Sequence, residues 1–313
     1  MGKWTRRGVL SAGVLGGTGL VIGIAVRPGN PTETAGHLVL GEDENLLHIY
    51  LKIDGDNRAT AILPHSEMGQ GAQTALTQML AEEMDADWNL MRFEEAPANA
   101  EYANMAVGRG YLFKGIDFPD VAVPTVDGLM LNLADALGMQ ITGGSMSIRT
   151  TGQYFLRAAG ASVREMLVKT ASKAWGVPES EIRTAKSMLH HDSSGRLAPY
   201  SEFAAAAAEM TPSSTPKLKK TSQFSIMGHS KPRHDIPSKV DGTAMFAMDV
   251  KRPGMVYAAV KRTPVAGGTL RRVDDNAARA MKGVIDVVKV GPSSAAGLVL
   301  SLIHISEPTR HDQ

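Results

Sequence analysis

A chain of 313 residues, 43% hydrophobic and 21% charged, has room for two ordinary globular domains. Its 33 basic residues are balanced by 32 acidic ones, for a net charge of +1, which gives no support to nucleic-acid binding. It has no Cys, which excludes disulfides, Cys-ligated zinc and iron–sulfur clusters built from this chain. Any electrons it handles must leave through another subunit or a Cys-bearing segment.

Residues 1–30 read as a targeting segment. Lys3, Arg6 and Arg7 precede an uncharged, Gly-rich apolar run over 11–26, too short for an ordinary membrane span. Thr5-Arg6-Arg7-Gly8-Val9-Leu10 resembles a twin-arginine export signal, the route that carries folded proteins to the periplasm. A Sec signal or an uncleaved anchor at the inner membrane is the alternative. Residues 31–45, polar with Gly and Pro, suggest a linker. A strand is expected over 46–53, a hairpin turn at Asp54-Gly55-Asp56-Asn57, and a returning strand over 59–63.

A loop over 64–71 then opens an amphipathic helix of about 14 residues, with Ala72, Ala75, Leu76, Met79, Leu80 and Met84 at helical spacing. Glu82, Glu83 and Asp85 are expected on or near the opposite, polar face. A strand is expected over 87–95, irregular chain over 97–126 and a short helix over 129–137. A long helix over 150–175 would bury Phe155, Ala159, Val163, Met166, Leu167, Thr170 and Ala174 on one face. Its Ala158-Ala159-Gly160-Ala161 cluster permits a close helix contact.

A hairpin is expected around 191–195, an Ala-rich helix over 203–210 and a surface connection over 211–220. Short strands over 245–250, 256–261 and 284–290, with a helical turn over 277–281, suggest a second domain from about 236. Residues 300–310 read as the codon-for-codon translation of a transposase-type sequencing adapter. On that reading 300–313 are foreign and the native chain continues past Val299.

Two constellations could carry chemistry. Glu67-Met68-Gly69-Gln70-Gly71, with Gln73 and Thr74 just inside the helix, places a Gly-rich loop at a helix N-terminus. Backbone N–H groups there favour an anion. The lack of a Gly-Lys-Ser/Thr disfavours a triphosphate loop, and by spacing alone it reads more readily as a plain helix-capping turn than as a binding loop. Gly143-Gly144-Ser145-Met146-Ser147 repeats the arrangement ahead of the long helix, as a phosphate cradle or as a helix cap. The nine His show no metal-ligand spacing. His190 and His191 are expected to be exposed, and His65, beside the first loop, is the one worth watching.

The block over 64–87, carrying Glu-Met-Gly-Gln-Gly, Gln-Thr-Ala-Leu and Leu-Ala-Glu-Glu-Met, resembles the pterin-binding loop and helix of the xanthine oxidase family of molybdenum hydroxylases. The order of blocks resembles the branch containing isoquinoline 1-oxidoreductase beta subunits and exported aldehyde dehydrogenases. Gly143-Gly144-Ser145, Arg157-Ala158-Ala159-Gly160-Ala161, Lys239-Val240-Asp241-Gly242-Thr243-Ala244 and Pro253-Gly254-Met255-Val256-Tyr257-Ala258 fit the same pattern.

The resemblance implies an α+β chain. A molybdopterin-binding domain segment would span 31–235 and the start of an α/β hammerhead domain 236–299. It implies molybdenum held by molybdopterin, in the cytosine dinucleotide form. Met68, Gly69, Gln70, Gly71, Thr74, Gly143, Gly144, Ser145 and Ser147 would be cofactor-binding.

The family inserts a water-derived oxygen into an aldehyde or N-heterocyclic carbon, with a Glu as base. That Glu lies late in family members and has no counterpart here, so no catalytic residue is assigned and the chain alone is expected to be inactive. The implied partners are a small [2Fe–2S] subunit and a downstream acceptor such as a cytochrome. A non-catalytic periplasmic protein that binds an anion at the two Gly loops is the rival reading.

Overall fold

The computed structural model describes residues 31–104, 126, 130, 132–134, 136–213, 215–261, 272–290 and 298–303. The export-signal reading, all of the stretch over 105–125 and the tail beyond 303 lie outside these residues. The chain divides into two compact units, Met1–Pro237 and Ser238–Gln313. Each mixes helices with sheets, so the protein is α+β.

In the first unit, helix α1 (Pro31–Val39) leads into strands β1 (Glu44–His48), β2 (Leu51–Asp54) and β3 (Ala59–Leu63). The expected linker is therefore partly a helix. Ala35 and Val39 turn inward onto the core, giving a polar segment one apolar edge. The single strand expected over 46–53 is two strands with a bulge between Leu46 and His48 and a tight turn at Ile49 and Tyr50. Every residue from Leu46 to Ile53 is buried, so the alternation that marks a half-exposed strand was never there to read. The Asp54–Asn57 turn forms as expected, with Asn57 at φ 63°, a left-handed conformation that Asn tolerates.

Helix α2 (Ala72–Glu83) then crosses back to strand β4 (Met91–Glu95), which pairs parallel with β3 and completes the order β1-β2-β3-β4. The strand expected from residue 87 begins only after a helical turn at Trp88–Leu90.

A three-residue helical turn, Ser145–Ser147, continues through a wide π-helical stretch, Ile148–Leu156, into helix α3 (Arg157–Trp175). The face expected to be buried is buried at Phe155, Ala159, Val163, Met166, Leu167 and Thr170. Ala174 is the correction: it is exposed in the last turn, beyond the elements that cover the rest of the helix. A meander of β5 (Ile182–Ala185), β6 (Met188–His191) and β7 (Arg196–Pro199) follows, then helix α4 (Tyr200–Ala208) against β1 and β2.

The β5–β6 turn puts Lys186 and Ser187 at φ 50° and 58°. Its tip docks on the first sheet: the Ser187 carbonyl accepts from Asn57 Nδ2 at 3.1 Å and its hydroxyl accepts the Asp87 N–H at 2.9 Å. His191 is buried, contrary to expectation. One ring nitrogen meets Ser194 Oγ at 2.7 Å and the other Glu181 at 2.9 Å, which offsets its desolvation.

The largest departure is at the C-terminal end of α2. Glu82 and Glu83, expected on a polar face, are fully buried. Glu82 accepts the backbone N–H groups of Ser225, Ile226 and Met227 at 2.8, 2.6 and 3.0 Å and the Lys219 ammonium at 2.9 Å. Burial alone would raise its carboxyl; the Ile226 N–H, the Lys219 ammonium and the other two amides outweigh that and hold it below the usual carboxylate range.

A carboxyl depressed on folding contributes stability that is present above the ordinary value of 4.5 and lost as pH falls through the lowered one. Urea titrations from neutrality to acid should therefore show stability falling below that value, and falling less steeply in Glu82→Gln. Equal slopes in the two proteins would contradict this.

In the second unit, which the short helix Ile236–Asp241 enters, β8 (Tyr257–Lys261), β9 (Val284–Val290) and β10 (Leu298–Ile303) form an antiparallel sheet of order β8-β10-β9, with a further short helix, α5 (Asn276–Arg279), before β9. The strand expected over 245–250 is instead a helical turn at Ala247–Asp249. The central strand runs across the 299/300 junction, so residues read as foreign supply most of it. An apolar residue at every second position, Leu298, Leu300 and Leu302, suits a strand whatever its origin.

Candidate functional site

The site is built at the N-terminal ends of α2 and the α3 helical stretch. Gly69 and Gly71 stand at φ 95° and 74°, left-handed values that favour glycine, and they let the chain turn sharply into α2. The N–H groups of Gly69, Gly71 and Gln73 all point at one acceptor, the carboxylate of Glu67, at 2.9, 2.8 and 3.4 Å. The helix start expected to offer its amides to an outside anion is thus already capped by the loop's own carboxylate. The favourable interaction with the helix dipole is the same in kind.

Gln70 is exposed, and its side chain folds back on the loop. Oε1 accepts the Met68 N–H at 2.5 Å and Nε2 donates to the Ser66 carbonyl at 3.0 Å. Met68 is 65% exposed. A Cβ added at Gly69 would meet nothing within 4 Å, so the loop's outer surface is open. Thr74 is buried, and its hydroxyl accepts the His234 N–H at 3.3 Å rather than facing outward.

At the second loop, Gly143 donates its N–H to Ser147 Oγ at 3.1 Å. Ser147 is buried and serves as a local brace, while Ser145 is exposed. Gly144 stands at φ 55° with open space where its Cβ would be. The two loops are neighbours. The Ser66 N–H donates to Thr142 Oγ1 at 3.0 Å, and His65 Nε2 meets Thr151 Oγ1 at 2.7 Å. Burial pushes the His65 imidazole down to about 4, opposed by the Ile141 backbone, so it is neutral near pH 7.

The structure therefore brings Met68, Gly69, Gln70, Gly144 and Ser145 to open surface on adjoining loops and withdraws Thr74 and Ser147 into supporting roles. Sequence reasoning missed Glu67 as the internal cap, Thr142 as the loop-to-loop tie, and Arg233, whose guanidinium lies 3.4 Å from Glu67 and donates to the Gly69 carbonyl at 3.1 Å. The acid two residues before the first Gly was the available signal for the cap. Nothing local pointed to Arg233, which lies 164 positions past Gly69.

No family model matches the chain. Among curated proteins it is similar to the beta subunit of the isoquinoline 1-oxidoreductase of Brevundimonas diminuta, 33% identical over 281 residues, covering 78% of this chain and 32% of that protein. It is 27% identical over 290 residues to a membrane-bound aldehyde dehydrogenase (pyrroloquinoline-quinone) of Gluconacetobacter polyoxogenes, covering 90% of this chain and 32% of that protein. It is 22% identical over 255 residues to the B component of the nicotinate dehydrogenase of Pseudomonas putida, covering 79% of this chain and 18% of that protein. The chain thus spans about a third of the first two relatives and less of the third. The Glu-Met-Gly-Gln-Gly loop and its helix, the second Gly loop beside it and these oxidoreductase relatives agree: together they support a large subunit of the molybdenum hydroxylase family, at partial coverage of those relatives.

Proposed function

We propose that residues 64–74 and 142–151 form part of the seat for a molybdopterin cofactor, in its cytosine dinucleotide form, in an enzyme that hydroxylates an aldehyde or an N-heterocyclic carbon with oxygen from water. The observation that carries this is the side-by-side placement of the two Gly loops, tied by Ser66 to Thr142 and His65 to Thr151, with open space over Gly69 and Gly144. Bound there, the cofactor would supply the two-electron oxidation of the carbon.

The chain's own residues would bind and orient it. The Gln70 amide, which both donates and accepts, would exchange its loop contacts for polar atoms of the pterin. The Ser145 hydroxyl and the backbone around Gly144 would face the phosphates. His65, neutral and held on Thr151, would keep the two loops in register without adding charge. With no Cys in the chain, electrons would pass to a small [2Fe–2S] partner subunit. The rival anion-binding reading loses its main support, because Glu67 already occupies the amides of the first helix start.

The name of the Gluconacetobacter relative carries pyrroloquinoline quinone, so the test must separate two cofactors. Protein purified from molybdate-supplied cells should contain molybdenum and release a cytosine nucleotide on acid treatment. Gln70→Ala should lower the molybdenum content by about tenfold without moving the melting temperature, as its side chain is exposed. Quinone in place of molybdenum, or an unchanged metal content in the variant, would refute the assignment.

A further inference from the structure

We propose that Arg233, locked by Asp235, is a positioning residue that sets the shape of the Gly69-Gln70-Gly71 loop and thereby presents Gln70. The proposal rests on the reading of that loop as part of the cofactor seat.

The loop cannot hold its shape alone. Its two glycines have the widest backbone freedom of any residue, and its three inward amides depend on a single acceptor, Glu67. That carboxylate side chain is only 7% exposed, so keeping it inward requires a counter-charge. Arg233 supplies it with Nη2 at 3.4 Å, while Nη1 holds the Gly69 carbonyl at 3.1 Å.

The same guanidinium lies over Gly71. A Cβ built there would come within 3.8 Å of Nη1 and 3.9 Å of Cζ, so both glycines are touched by one side chain. Arg233 is itself fixed by a two-point fork on Asp235, Nε to Oδ1 at 2.9 Å and Nη2 to Oδ2 at 2.6 Å. Between them, His234 anchors the backbone: its N–H reaches Thr74 Oγ1, and its ring packs 4.7 Å from Trp88 and 5.7 Å from Phe93.

The segment that carries this tripeptide is pinned at the other end of α2 as well. Glu82 and Glu83 bind the Lys219 ammonium and the backbone of Lys219, Ser225, Ile226 and Met227. The strap therefore runs the length of α2, from buried carboxylates at its C-terminal end to the glycine loop at its N-terminal end. Its far anchorage is independent of Arg233, so loss of the guanidinium should loosen the loop and leave the strap in place.

The test is amide hydrogen exchange on the full chain without cofactor, alongside melting temperature and metal content. In Arg233→Ala, exchange at Gly69, Gly71 and Gln73 should rise by about tenfold, amides of β1–β4 should stay as protected as before, and the melting temperature should move by less than about 2 °C. Arg233→Lys, which keeps the charge for Glu67 but loses the fork, should restore part of the protection. Asp235→Asn, which frees Arg233 without removing it, should shift the loop in the same direction by less.

In protein from molybdate-supplied cells, metal content should follow loop protection across the three variants. Unchanged loop exchange in Arg233→Ala overturns the proposal, as does equal acceleration throughout the unit, which would mark a merely structural role. If the unaltered protein holds no molybdenum the cofactor reading fails, while the exchange measurement still decides whether Arg233 shapes the loop.

Discussion

Replacing Glu83 by Ala is expected to destabilise the Met1–Pro237 unit by about 3–5 kcal/mol, the range for removing one partner of a buried ion pair. Glu83 is fully buried, and Arg157 is 8% exposed. Oε1 accepts from Arg157 Nε at 2.8 Å and Nη2 at 2.6 Å, and Oε2 accepts the Lys219 N–H at 2.9 Å. Without the carboxylate, Arg157 keeps its hydrogen bond to the Lys219 carbonyl and its place 5.3 Å over the Phe224 ring, but loses this counter-charge.

The cost is that of a buried, uncompensated guanidinium rather than the worth of the pair. The double variant Glu83→Met, Arg157→Met should therefore recover much of the loss, since apolar replacements of similar volume often match buried pairs. Urea denaturation of the single and double variants measures both quantities. A single-variant loss under about 1 kcal/mol would show that the site relaxes or admits water, against the burial described.

Gly160→Ala is the second large effect. An added Cβ would collide with the Leu80 carbonyl oxygen and stand 3.1 Å from Glu83 Cβ. The first obstacle is backbone, so α2 and α3 must move apart. Overpacking costs about 1–3 kcal/mol, and this contact belongs at the top of that range. Alanine's better helix propensity returns up to about 1 kcal/mol, leaving a net loss of about 2 kcal/mol.

Gly152→Ala is the internal control. Its Cβ would press on Met79 Sδ and on Leu76 Cδ2, the latter at 3.0 Å, which are side-chain atoms that can rotate away. It should cost less than Gly160→Ala in the same denaturation experiment, and the reverse order would contradict the packing argument.

The readable parts of this protein are those in which the signal lies within a few residues. The Asp54–Asn57 turn, the strand over Ala59–Leu63, the buried Ala72, Leu76, Met79 and Leu80 of α2 and the Ala-Gly cluster of α3 all formed where their residue types and periods placed them, while Ala75 is only half-buried. The Gly-Gln-Gly block was legible as a loop before a helix, and its residues carried the family.

What that loop does with its amides was not legible. A Gly-rich helix start looks the same whether it waits for a ligand or is capped by a nearby acid, and only the folded chain shows Glu67 turned onto Gly69, Gly71 and Gln73. Residues 46–53 misled for a related reason. Burial on all sides erases the alternation from which a strand's ends are read, so the bulge and turn left no trace.

By itself, then, the sequence determined the apolar periods, the turns, the two glycine loops and the family resemblance, because each is written in neighbouring residues. The tertiary structure alone decided that Glu82, Glu83 and His191 go inside and that Arg233 reaches the first loop. A charged or polar group can be buried only if partners meet it there. For Glu82 and Glu83 those partners are Arg157, Lys219 and the backbone of Ser225, Ile226 and Met227, far along the chain, and the contacts close only when the strap folds along α2.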